Sequence, residues 1–415
     1  MNYLFVHQNF PGQYLHLVRH LGAQPGNQVV FLTQHQHFTL PGVRVIPYRP
    51  PRAPAPGVHH YLHDTEAAVL NGQSVARIAI DLRASGFVPD VMAGHNGWGE
   101  IWYLKDVYPD VPLIGYFEFF YRQFGADVGF DPADVHSPDT GPRIRSKNLG
   151  NLLGLDTVDL GVCPTHWQRS GYPARYHDKL RLVHEGIDTA WASPSDTATF
   201  TLPGGRILSR EDEIVTYVAR NLEPHRGFPM FMRSLPGILS RRPHAEVLIV
   251  GADCTSYGPP RADGRSYREA MVAELQGDVD WTRVHFLNQV PYGQFRDVLR
   301  VSRAHVYLTY PFVLSWSMLE AMSMGCVVVG SRTAPVTEVV SDGENGFLVD
   351  IFETGMLSQK VVEVLEAGPA LASVRASARS TIVERYDLKT VCLPRQLALL
   401  TEARELLRGR GRTSL

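Results

Sequence analysis

Residues 310–329 have the sequence YPFVLSWSMLEAMSMGCVVV, which predicts the end of a strand, a loop, a helix, a glycine stop and a second strand. The polar opening at Ser315, Trp316 and Ser317 would place backbone N–H groups at a helix start, where a phosphate can bind. Glu320 follows within two turns, and its carboxylate can accept hydrogen bonds from both hydroxyls of a ribose. Taken alone, the segment is explained more simply by a serine cap and a solvated glutamate.

Short apolar runs alternate with longer amphipathic segments on both sides of this stretch, which predicts βαβ units with parallel sheets. The strands predicted in the first half are Tyr3–His7, Val29–Thr33, Val43–Ile46, Val91–Ala93, Leu113–Tyr116, Val158–Cys163 and Leu180–Val183. Those predicted in the second half are Ile214–Ala219, Glu246–Val250, Val284–Phe286, His305–Leu308 and Cys326–Val329. A Ser-, Thr-, Pro- and Gly-rich stretch separates the halves, so we predict domains over residues 1–195 and 196–393.

Length and composition are those of a globular protein with two α/β domains. The 415 residues suit two domains of about 200 residues each. A net charge of −2 excludes a general attraction to nucleic acid or anionic lipid, so a phosphate would need local cations. The four cysteines form no CxxC pair, and no apolar run has the length of a membrane span. A cytoplasmic location is predicted, with peripheral contact to the inner face of the membrane left open.

Two arginines flank a predicted strand-to-helix loop in the second half. Arg220 lies at the carboxyl end of the strand and Arg226 at the start of the following helix. Ligands of open α/β sheets bind at that edge, and two guanidinium groups suit a diphosphate. An ion pair with Glu223 is the structural alternative.

Polar residues follow three predicted strands of the first half. Gly12 and Gln13 lie in a glycine-containing loop after the first strand, but the loop lacks the GxGxxG pattern of dinucleotide sites. His95 and Glu118 each follow a later strand. Scattered histidines without carboxylate partners argue against a metal site.

Together these segments resemble the retaining glycosyltransferases of family 4, which have the GT-B fold. The likeness rests on the arginine loop, on "LEAMSMGCVVV" and on the turn His184-Glu185-Gly186-Ile187-Asp188, which is similar to that family's "NGVD". It implies two Rossmann-like α/β domains facing across a cleft. It also implies that a C-terminal helix, residues 394–415, packs back on the first domain, which would bind the acceptor.

The resemblance also implies roles for individual residues. Arg220 and Arg226 would hold the donor diphosphate, Glu320 the ribose, and His95 the donor sugar. It further implies that Asn288, Gln289 and Val290 line the nucleobase slot. The loop and helix start described above add Gly12, Leu314, Ser315, Trp316, Ser317 and Met318 as candidates for contact with the donor. Gln13, Glu118 and Phe312 are candidates for contact with the acceptor or the sugar.

One position departs from the family pattern. The family commonly has two glutamates eight positions apart, and Phe312 stands where the first would be. The rest of the segment is intact, which is typical of a subgroup variant. The change leaves the identity of the sugar open, since one hydroxyl contact is absent.

The resulting prediction is a metal-independent retaining transferase without a cofactor. It would move a hexose from a UDP- or GDP-sugar, its co-substrate, to a saccharide or lipid-linked saccharide in polysaccharide biosynthesis. Another GT-B nucleotide-sugar enzyme, such as an epimerase, and a non-catalytic nucleotide-sugar-binding scaffold remain the alternatives. No nucleic acid partner is expected, and the oligomeric state is open.

Overall fold

The structure is a computed structural model that describes residues 1–36, 38–134 and 137–410, with side chains described as far as residue 407. The chain divides into two compact units. Unit 1 contains Met1–Gly186 and the segment that begins at Leu388, and unit 2 is Ile187–Asp387. Both transitions lie earlier in the chain than the predicted ones, which follow residues 195 and 393.

Unit 1 is built on a parallel sheet of seven strands. The strands of unit 1, including two outside this sheet, are in chain order β1 (Asn2–Val6), β2 (Asn9–Phe10), β3 (Gln28–Thr33), β4 (His35–Gln36), β5 (Val43–Pro47), β6 (Val91–His95), β7 (Leu113–Tyr116), β8 (Leu160–Cys163) and β9 (Leu180–Leu182). The spatial order is β5-β3-β1-β6-β7-β8-β9, and β2 pairs separately with β4. The strand order reverses between β1 and β6, which is where ligands bind in doubly wound sheets.

Six α-helices accompany this sheet in the described part of residues 1–186. They are α1 (Leu15–Gly22), α2 (His63–Ala84), α3 (Leu104–Val107), α4 (Thr140–Lys147), α5 (Leu149–Thr157) and α6 (His166–Ser170). The sequence pattern over Ile144–Leu153 predicts one helix, whereas the structure has two, α4 and α5. They meet at Asn148, whose side chain bonds to the backbone of Tyr121 through Oδ1 at 3.0 Å and Nδ2 at 2.7 Å.

Unit 2 repeats the same architecture with a six-stranded parallel sheet. Its strands are β10 (Thr199–Thr201), β11 (Ile207–Ser209), β12 (Ile214–Asn221), β13 (Glu246–Ala252), β14 (Val284–Asn288), β15 (Ala304–Tyr307), β16 (Val327–Ser331) and β17 (Phe347–Val349). The order is β14-β13-β12-β15-β16-β17, and β10 and β11 form a separate antiparallel hairpin. Here the order reverses between β12 and β15.

The helices of unit 2 cover a sheet whose strands are apolar and buried. They are α7 (Phe228–Arg241), α8 (Tyr267–Glu274), α9 (Tyr292–Val301), α10 (Trp316–Ser323), α11 (Ala334–Thr337), α12 (Thr354–Ala367) and α13 (Ala372–Tyr386). A capping box at Ser266 and Glu269 starts α8. Two parallel α/β units confirm the predicted fold class.

The last helix, α14 (Leu393–Arg410), belongs to unit 1. Leu399, Leu400 and Ala403 are buried in the core that β1, β3 and α1 also line. The predicted return of a C-terminal helix to the first domain is thus confirmed, although residues 411–415 lie outside the described part. Across the described residues, no helix combines the length and apolar character that a membrane crossing requires.

Candidate active site

The predicted site residues form two groups, one in each unit. Gly12, Gln13, His95 and Glu118 belong to unit 1 and all the others to unit 2. Most of them lie at or shortly after the carboxyl ends of β1, β6 and β7 in unit 1, and of β12, β14 and β15 in unit 2. The structure therefore brings each group to the ligand-binding edge of its own sheet.

Arg226 is buried and held by neutral acceptors. It ends a short 3-10 turn, Pro224–Arg226, and the next residue, Gly227, has φ +66°. Its Nη1 donates to Thr309 Oγ1 at 2.9 Å, to the Val313 carbonyl at 2.9 Å and to Tyr307 Oη at 3.3 Å. These bonds hold the guanidinium in one orientation.

Aromatic rings complete the surroundings of that guanidinium. Its carbon lies 5.2 Å from the Tyr257 ring centroid and 5.8 Å from that of Phe312, within the range of cation–π attraction. Among the described residues no carboxylate forms an ion pair with Arg226. A buried cation without a carboxylate partner keeps its charge available for an anionic ligand. Phe312 packs on Tyr257 with ring centroids 4.8 Å apart, so both rings belong to the aromatic cluster beside Arg226.

Arg220 differs from Arg226 in its surroundings. It is exposed near the end of β12. Within the described chain it makes no ion pair. The two arginines therefore lie close in sequence but only Arg226 is fixed in place.

Glu223 has a role that no sequence pattern indicated. It is fully buried, and its carboxylate accepts backbone N–H bonds from Ser256 at 3.1 Å, Tyr257 at 3.0 Å and Gly258 at 3.0 Å. The alternative of an ion pair between Glu223 and an arginine is thus replaced by a loop anchor. Glu223 holds in place the loop that carries Tyr257 against Arg226.

Glu320 is buried in α10 and already holds one hydroxyl. Its Oε1 accepts a hydrogen bond from Tyr292 Oη, a partner that sequence reasoning missed. Burial raises the pKa of Glu320 to about 7, although the Tyr292 bond opposes the shift. Tyr292 stacks on Trp191 with centroids 4.0 Å apart. A diol would share Oε1 with the Tyr292 hydroxyl unless the Tyr292 ring turned away.

The start of α10 has fewer free amides than its sequence predicts. The N–H of Ser315 donates to Tyr307 Oη at 2.8 Å, that of Ser317 to Ser315 Oγ at 3.3 Å, and that of Met318 to the Ser315 carbonyl at 3.3 Å. The last two bonds form because Ser315 is itself the helix cap. Of the other candidates here, Leu314 is half-buried and Trp316 is 41% exposed.

The segment predicted to line a nucleobase slot follows β14. Asn288 has φ +55°, and its Oδ1 accepts a hydrogen bond from Arg268 Nη1 at 3.0 Å. Gln289 is exposed, and Val290 packs on the core of unit 2. The Arg268 guanidinium lies 4.1 Å from the Phe286 ring centroid.

In unit 1, His95 is buried with one nitrogen unused. Its Nδ1 accepts the backbone N–H of Gly97 at 2.9 Å, so the ring proton of the neutral form is on Nε2. That Nε2 lies 3.6 Å from Glu118 Oε2, too far for a good hydrogen bond. Within the described residues it has no hydrogen-bond partner.

Gln13 connects His7 to the carboxylate of Glu118. His7 Nδ1 accepts the Asn9 N–H at 2.8 Å, so Nε2 donates to Gln13 Oε1 at 2.6 Å. Gln13 Nε2 in turn donates to Glu118 Oε1 at 3.4 Å. Burial and the neighbouring His95 lower the pKa of His7 to about 3, which keeps its ring neutral.

Gly12 makes this arrangement sterically possible. It has φ +52°, and a Cβ there would lie 2.5 Å from His7 Nε2. The glycine thus permits the contact between His7 and Gln13. Sequence reasoning assigned Gly12 to the donor and missed His7, whose only sequence signal was its place at the end of β1.

Two family models match the chain, one almost entirely within unit 1 and the other within unit 2. The model described as "Glycosyl transferase family 4 group" matches residues 25–192, and "Glycosyl transferases group 1" matches residues 212–367.

Curated relatives are glycosyltransferases that act on inositol compounds by name. The chain is 30% identical to the phosphatidyl-myo-inositol mannosyltransferase of Mycolicibacterium smegmatis over 65% of this chain and 71% of that protein. It is 25% identical to the D-inositol 3-phosphate glycosyltransferase of Corynebacterium efficiens over 54% of this chain. The chain spans 52% of the length of that second relative.

Solved structures share the fold at low sequence identity. Anabaena Alr3699/HepE in complex with UDP has a TM-score of 0.64 and 16% identity, over 97% of this chain and 100% of that one. Sucrose-phosphate synthase from Thermosynechococcus elongatus has a TM-score of 0.68 and 17% identity, with both chains fully covered. Both likenesses extend over both units.

Proposed function

This chain is an enzyme of glycosyltransferase family 4 with the GT-B fold, and we propose that it transfers a hexose from a UDP- or GDP-sugar. The acceptor is a saccharide or lipid-linked saccharide in polysaccharide biosynthesis. Unit 2 binds the donor and unit 1 the acceptor. The reaction uses no metal or cofactor, because cationic side chains take the place of a metal ion at the diphosphate.

The observation that carries the donor assignment is the environment of Arg226. Its guanidinium is buried and held by three neutral oxygens, without a carboxylate partner among the described residues. Tyr307 links it to the start of α10, because Tyr307 Oη also accepts the N–H of Ser315 at 2.8 Å. A nucleoside diphosphate offers the anion that this cation lacks, and its ribose offers hydroxyls to Glu320 in α10.

The chemistry follows from the position of that charge. In glycosyl transfer from a nucleotide sugar, negative charge builds up on the departing diphosphate. A fixed guanidinium stabilises it without reorganisation, and removal of one such donor typically raises the barrier by about 3 to 4 kcal/mol. We propose retention of the anomeric configuration, with a diphosphate oxygen as the base that takes the proton of the acceptor hydroxyl. A product of inverted configuration would contradict this.

Other features support the choice of substrates. The structural relative Alr3699/HepE is described in complexes with UDP and UDP-glucose, which supports a uridine donor. The curated relatives act on phosphatidyl-myo-inositol and D-inositol 3-phosphate by name, which supports a hydroxyl-rich acceptor. The proposed location is the cytoplasm, at the inner face of the membrane when the acceptor is a lipid.

The test is thermal stability in the presence of UDP, GDP, ADP, CMP and their common sugar conjugates. A ligand at a hundred times its Kd adds about 2.7 kcal/mol of stability. We expect UDP or GDP to raise the melting temperature of the wild type but not of Arg226→Ala or Glu320→Ala. Arg233→Ala is the matched control, because Arg233 pairs with Glu274 on an exposed face of α7.

Three outcomes separate the alternatives. No shift with any nucleotide contradicts the donor site. Conversion of the sugar nucleotide without any acceptor indicates an epimerase. Binding without turnover, with every acceptor offered, indicates a non-catalytic binder.

A further inference from the structure

Two arginines meet at the amino-terminal edge of the sheet of unit 2. Arg210 lies shortly before β12, and Arg375 lies in the first part of α13. Arg210 Nη2 and Arg375 Nη1 both donate to the carbonyl of Gly325, at 3.3 and 3.2 Å. Two nitrogens that share one acceptor atom at these distances lie at most about 6.5 Å apart. Arg226 and most of the other proposed donor residues lie at the opposite edge of this sheet.

Arg303 joins this pair from the loop that precedes β15. Its Nη2 donates to the carbonyl of Glu211 at 2.6 Å, and its Nη1 lies 3.8 Å from the position of a Cβ on Gly368. Gly368 begins the turn that leads into α13. Burial lowers the pKa of the Arg375 guanidinium, and the charges of Arg210 and Arg303 lower it further. The three side chains form one group of like charges, which we call the arginine cluster.

Little negative charge in the described chain balances the arginine cluster. Asp196 is the one described carboxylate that pairs with it, through a distance of 3.7 Å between Asp196 Oδ1 and Arg210 Nη1. The Asp196 side chain is fully exposed, so this pair contributes little. Arg303 and Arg375 donate only to backbone carbonyls among the residues that the structure describes. Two of the three positive charges therefore have no counterion in this part of the chain.

The other nearby carboxylates are engaged elsewhere or exposed. Arg303 lines an open pocket of about 740 Å3, which gives solvent access to the cluster. Glu211 of this pocket is exposed, and its carboxylate forms no ion pair with the cluster in the described structure. The four other acidic side chains of the pocket have partners outside the cluster: Asp212 accepts from the N–H and hydroxyl of Ser209, Glu213 pairs with Arg242, Glu246 with Arg206 and Asp280 with Arg283.

The dipole of α10 accounts for only part of the cluster. Gly325 follows this helix, and the carboxyl end of a helix carries about half a negative elementary charge, against three full positive charges. Arg375 is also the fourth residue of α13, close to the positive end of that helix. No acidic residue lies in the first turn of α13. The cluster thus contains more positive charge than the end of α10 can balance.

Donor groups remain for a ligand as well as charge. A guanidinium has five N–H groups. In the described structure Arg210 and Arg375 each use one nitrogen for a hydrogen bond to the same carbonyl. Charge-assisted N–H bonds to an anion are about 2.8 Å long, so two guanidinium groups at this separation can both reach the oxygens of one tetrahedral anion.

We propose that the arginine cluster binds a small phosphate dianion, either inorganic phosphate or the phosphate group of a soluble monoester. A phosphate monoester carries about 1.5 to 2 negative charges at pH 7, which matches the two positive charges without a counterion. Arg210 and Arg375 donate to its oxygens, and Arg303 adds the third cation. The anion stabilises unit 2 from the edge of the sheet opposite Arg226. The site does not depend on the proposed function.

The experiment measures thermal unfolding of the full-length protein with inorganic phosphate and with glycerol 3-phosphate at millimolar concentrations. Chloride at the same ionic strength controls for screening. We expect phosphate, but not chloride, to raise the melting temperature of the wild type. Arg375→Gln should weaken the apparent affinity for phosphate about 10- to 100-fold, as loss of a charge-assisted hydrogen bond does. Arg375→Lys keeps the charge and should recover part of the affinity.

Matched variants locate the effect. Arg385→Gln removes the same charge from an exposed position of α13, beside the ring of Tyr386, and should keep the wild-type response to phosphate. Arg226→Gln tests the donor site as another place for phosphate and should keep the response too. Arg210→Gln should lose it, which gives a second variant if Arg375→Gln fails to fold.

Four results would overturn the phosphate site. They are no shift by phosphate in the wild type, an equal shift by chloride, a wild-type response in both Arg210→Gln and Arg375→Gln, and loss of the response in Arg226→Gln alone. A lower melting temperature of Arg375→Gln with an unchanged phosphate response would show that the arginines only cap α10.

Discussion

Glu320 must carry charge to accept two hydroxyls, yet its surroundings oppose that charge. Burial in α10 raises its pKa to about 7, and Tyr292 supplies a hydrogen bond to Oε1. Below that pH the carboxyl is neutral and one of its oxygens becomes a donor. Nucleotide affinity should therefore fall in mild acid, and the cause is the protonation of this one residue.

We predict that affinity for UDP or GDP falls as the pH is lowered from 8 to 6 and that Glu320→Gln removes this dependence. The ratio of wild-type to variant affinity, measured by calorimetry, cancels the titration of the ligand phosphate. In the protein without nucleotide, pH acts on the free energy of unfolding in the opposite direction. The raised pKa of Glu320 in the folded state gives stability that is present below about pH 4.5 and lost as the pH rises through about 7. The stability of Glu320→Gln relative to the wild type should therefore be greater at pH 8 than at pH 4.5. A constant affinity ratio would contradict the assignment.

Gly12 allows a second prediction at the scale of one residue. Gly12→Ala would place a Cβ 2.5 Å from His7 Nε2 at φ +52°. Gly26→Ala is a matched control, because Gly26 has φ +83° but a Cβ there would meet no atom within 4 Å. Both variants should lose about 1 to 2 kcal/mol from backbone strain. Only Gly12→Ala should also lower kcat/KM for the acceptor, because it disturbs the contact between His7 and Gln13, a candidate for acceptor binding. Equal acceptor kinetics in the two variants would contradict that role of Gln13.

At the scale of elements, most strands of the two large sheets were predictable because they are short apolar runs, and inner strands such as β6 and β15 are buried on both faces. The helix α10 was predictable from its serine cap and its glycine stop, and Gly325 does end it with φ +76°. The helices α12 and α13 and the three-residue strand β17 were not predicted. A strand that short has too few residues for a pattern, and it forms because β16 offers it an edge.

The site was only partly predictable, for a different reason. Arg226 and Glu320 stood in recognisable motifs, but their partners come from other elements. Tyr292 lies 28 positions before Glu320, and Tyr257 reaches Arg226 only because Glu223 binds its loop. Such contacts depend on the packing of the sheet and its loops, which no local pattern records. Fewer amides are free at the start of α10 than predicted, because Ser315 accepts those of Ser317 and Met318 and Tyr307 accepts that of Ser315.

The loop after β13 gives a prediction for an element. Glu223→Gln removes the negative charge and replaces one of the two acceptor oxygens with an NH2 group, which cannot accept an N–H bond from residues 256–258. Tyr257 should then be held less firmly over Arg226. We expect nucleotide affinity to fall about tenfold. The effect is indirect, because the Glu223 carboxylate binds the loop. Ser266→Ala is the control, since it removes the cap of α8 at a cost of about 1 kcal/mol without a contact to that loop. Equal nucleotide affinity in both variants would show that the anchor has no part in donor binding.

At the scale of the whole molecule, unit 1 is discontinuous in sequence. Its core takes residues from both ends of the chain, because Leu399, Leu400 and Ala403 of α14 pack with Phe5, Val18 and Phe31. Gln396 also donates to the carbonyls of His184 and Glu185, each at 3.0 Å. Unit 1 is therefore complete only when the last helix is present, whereas unit 2 is formed by one continuous segment.

This difference predicts separate responses of the two units to mutation and ligand. Leu400 is 5% exposed, so Leu400→Ala should destabilise unit 1 by about 2 to 5 kcal/mol. In calorimetry that variant should lower one transition, while UDP or GDP still raises the other. Leu365→Ala in α12 is the matched variant of unit 2, with 1% exposure, and should lower the transition that the nucleotide raises. If the nucleotide instead raises the transition that Leu400→Ala lowers, the donor belongs to unit 1, and the assignment of Arg226 and Glu320 to donor binding fails on thermodynamic grounds, independently of any measured transfer.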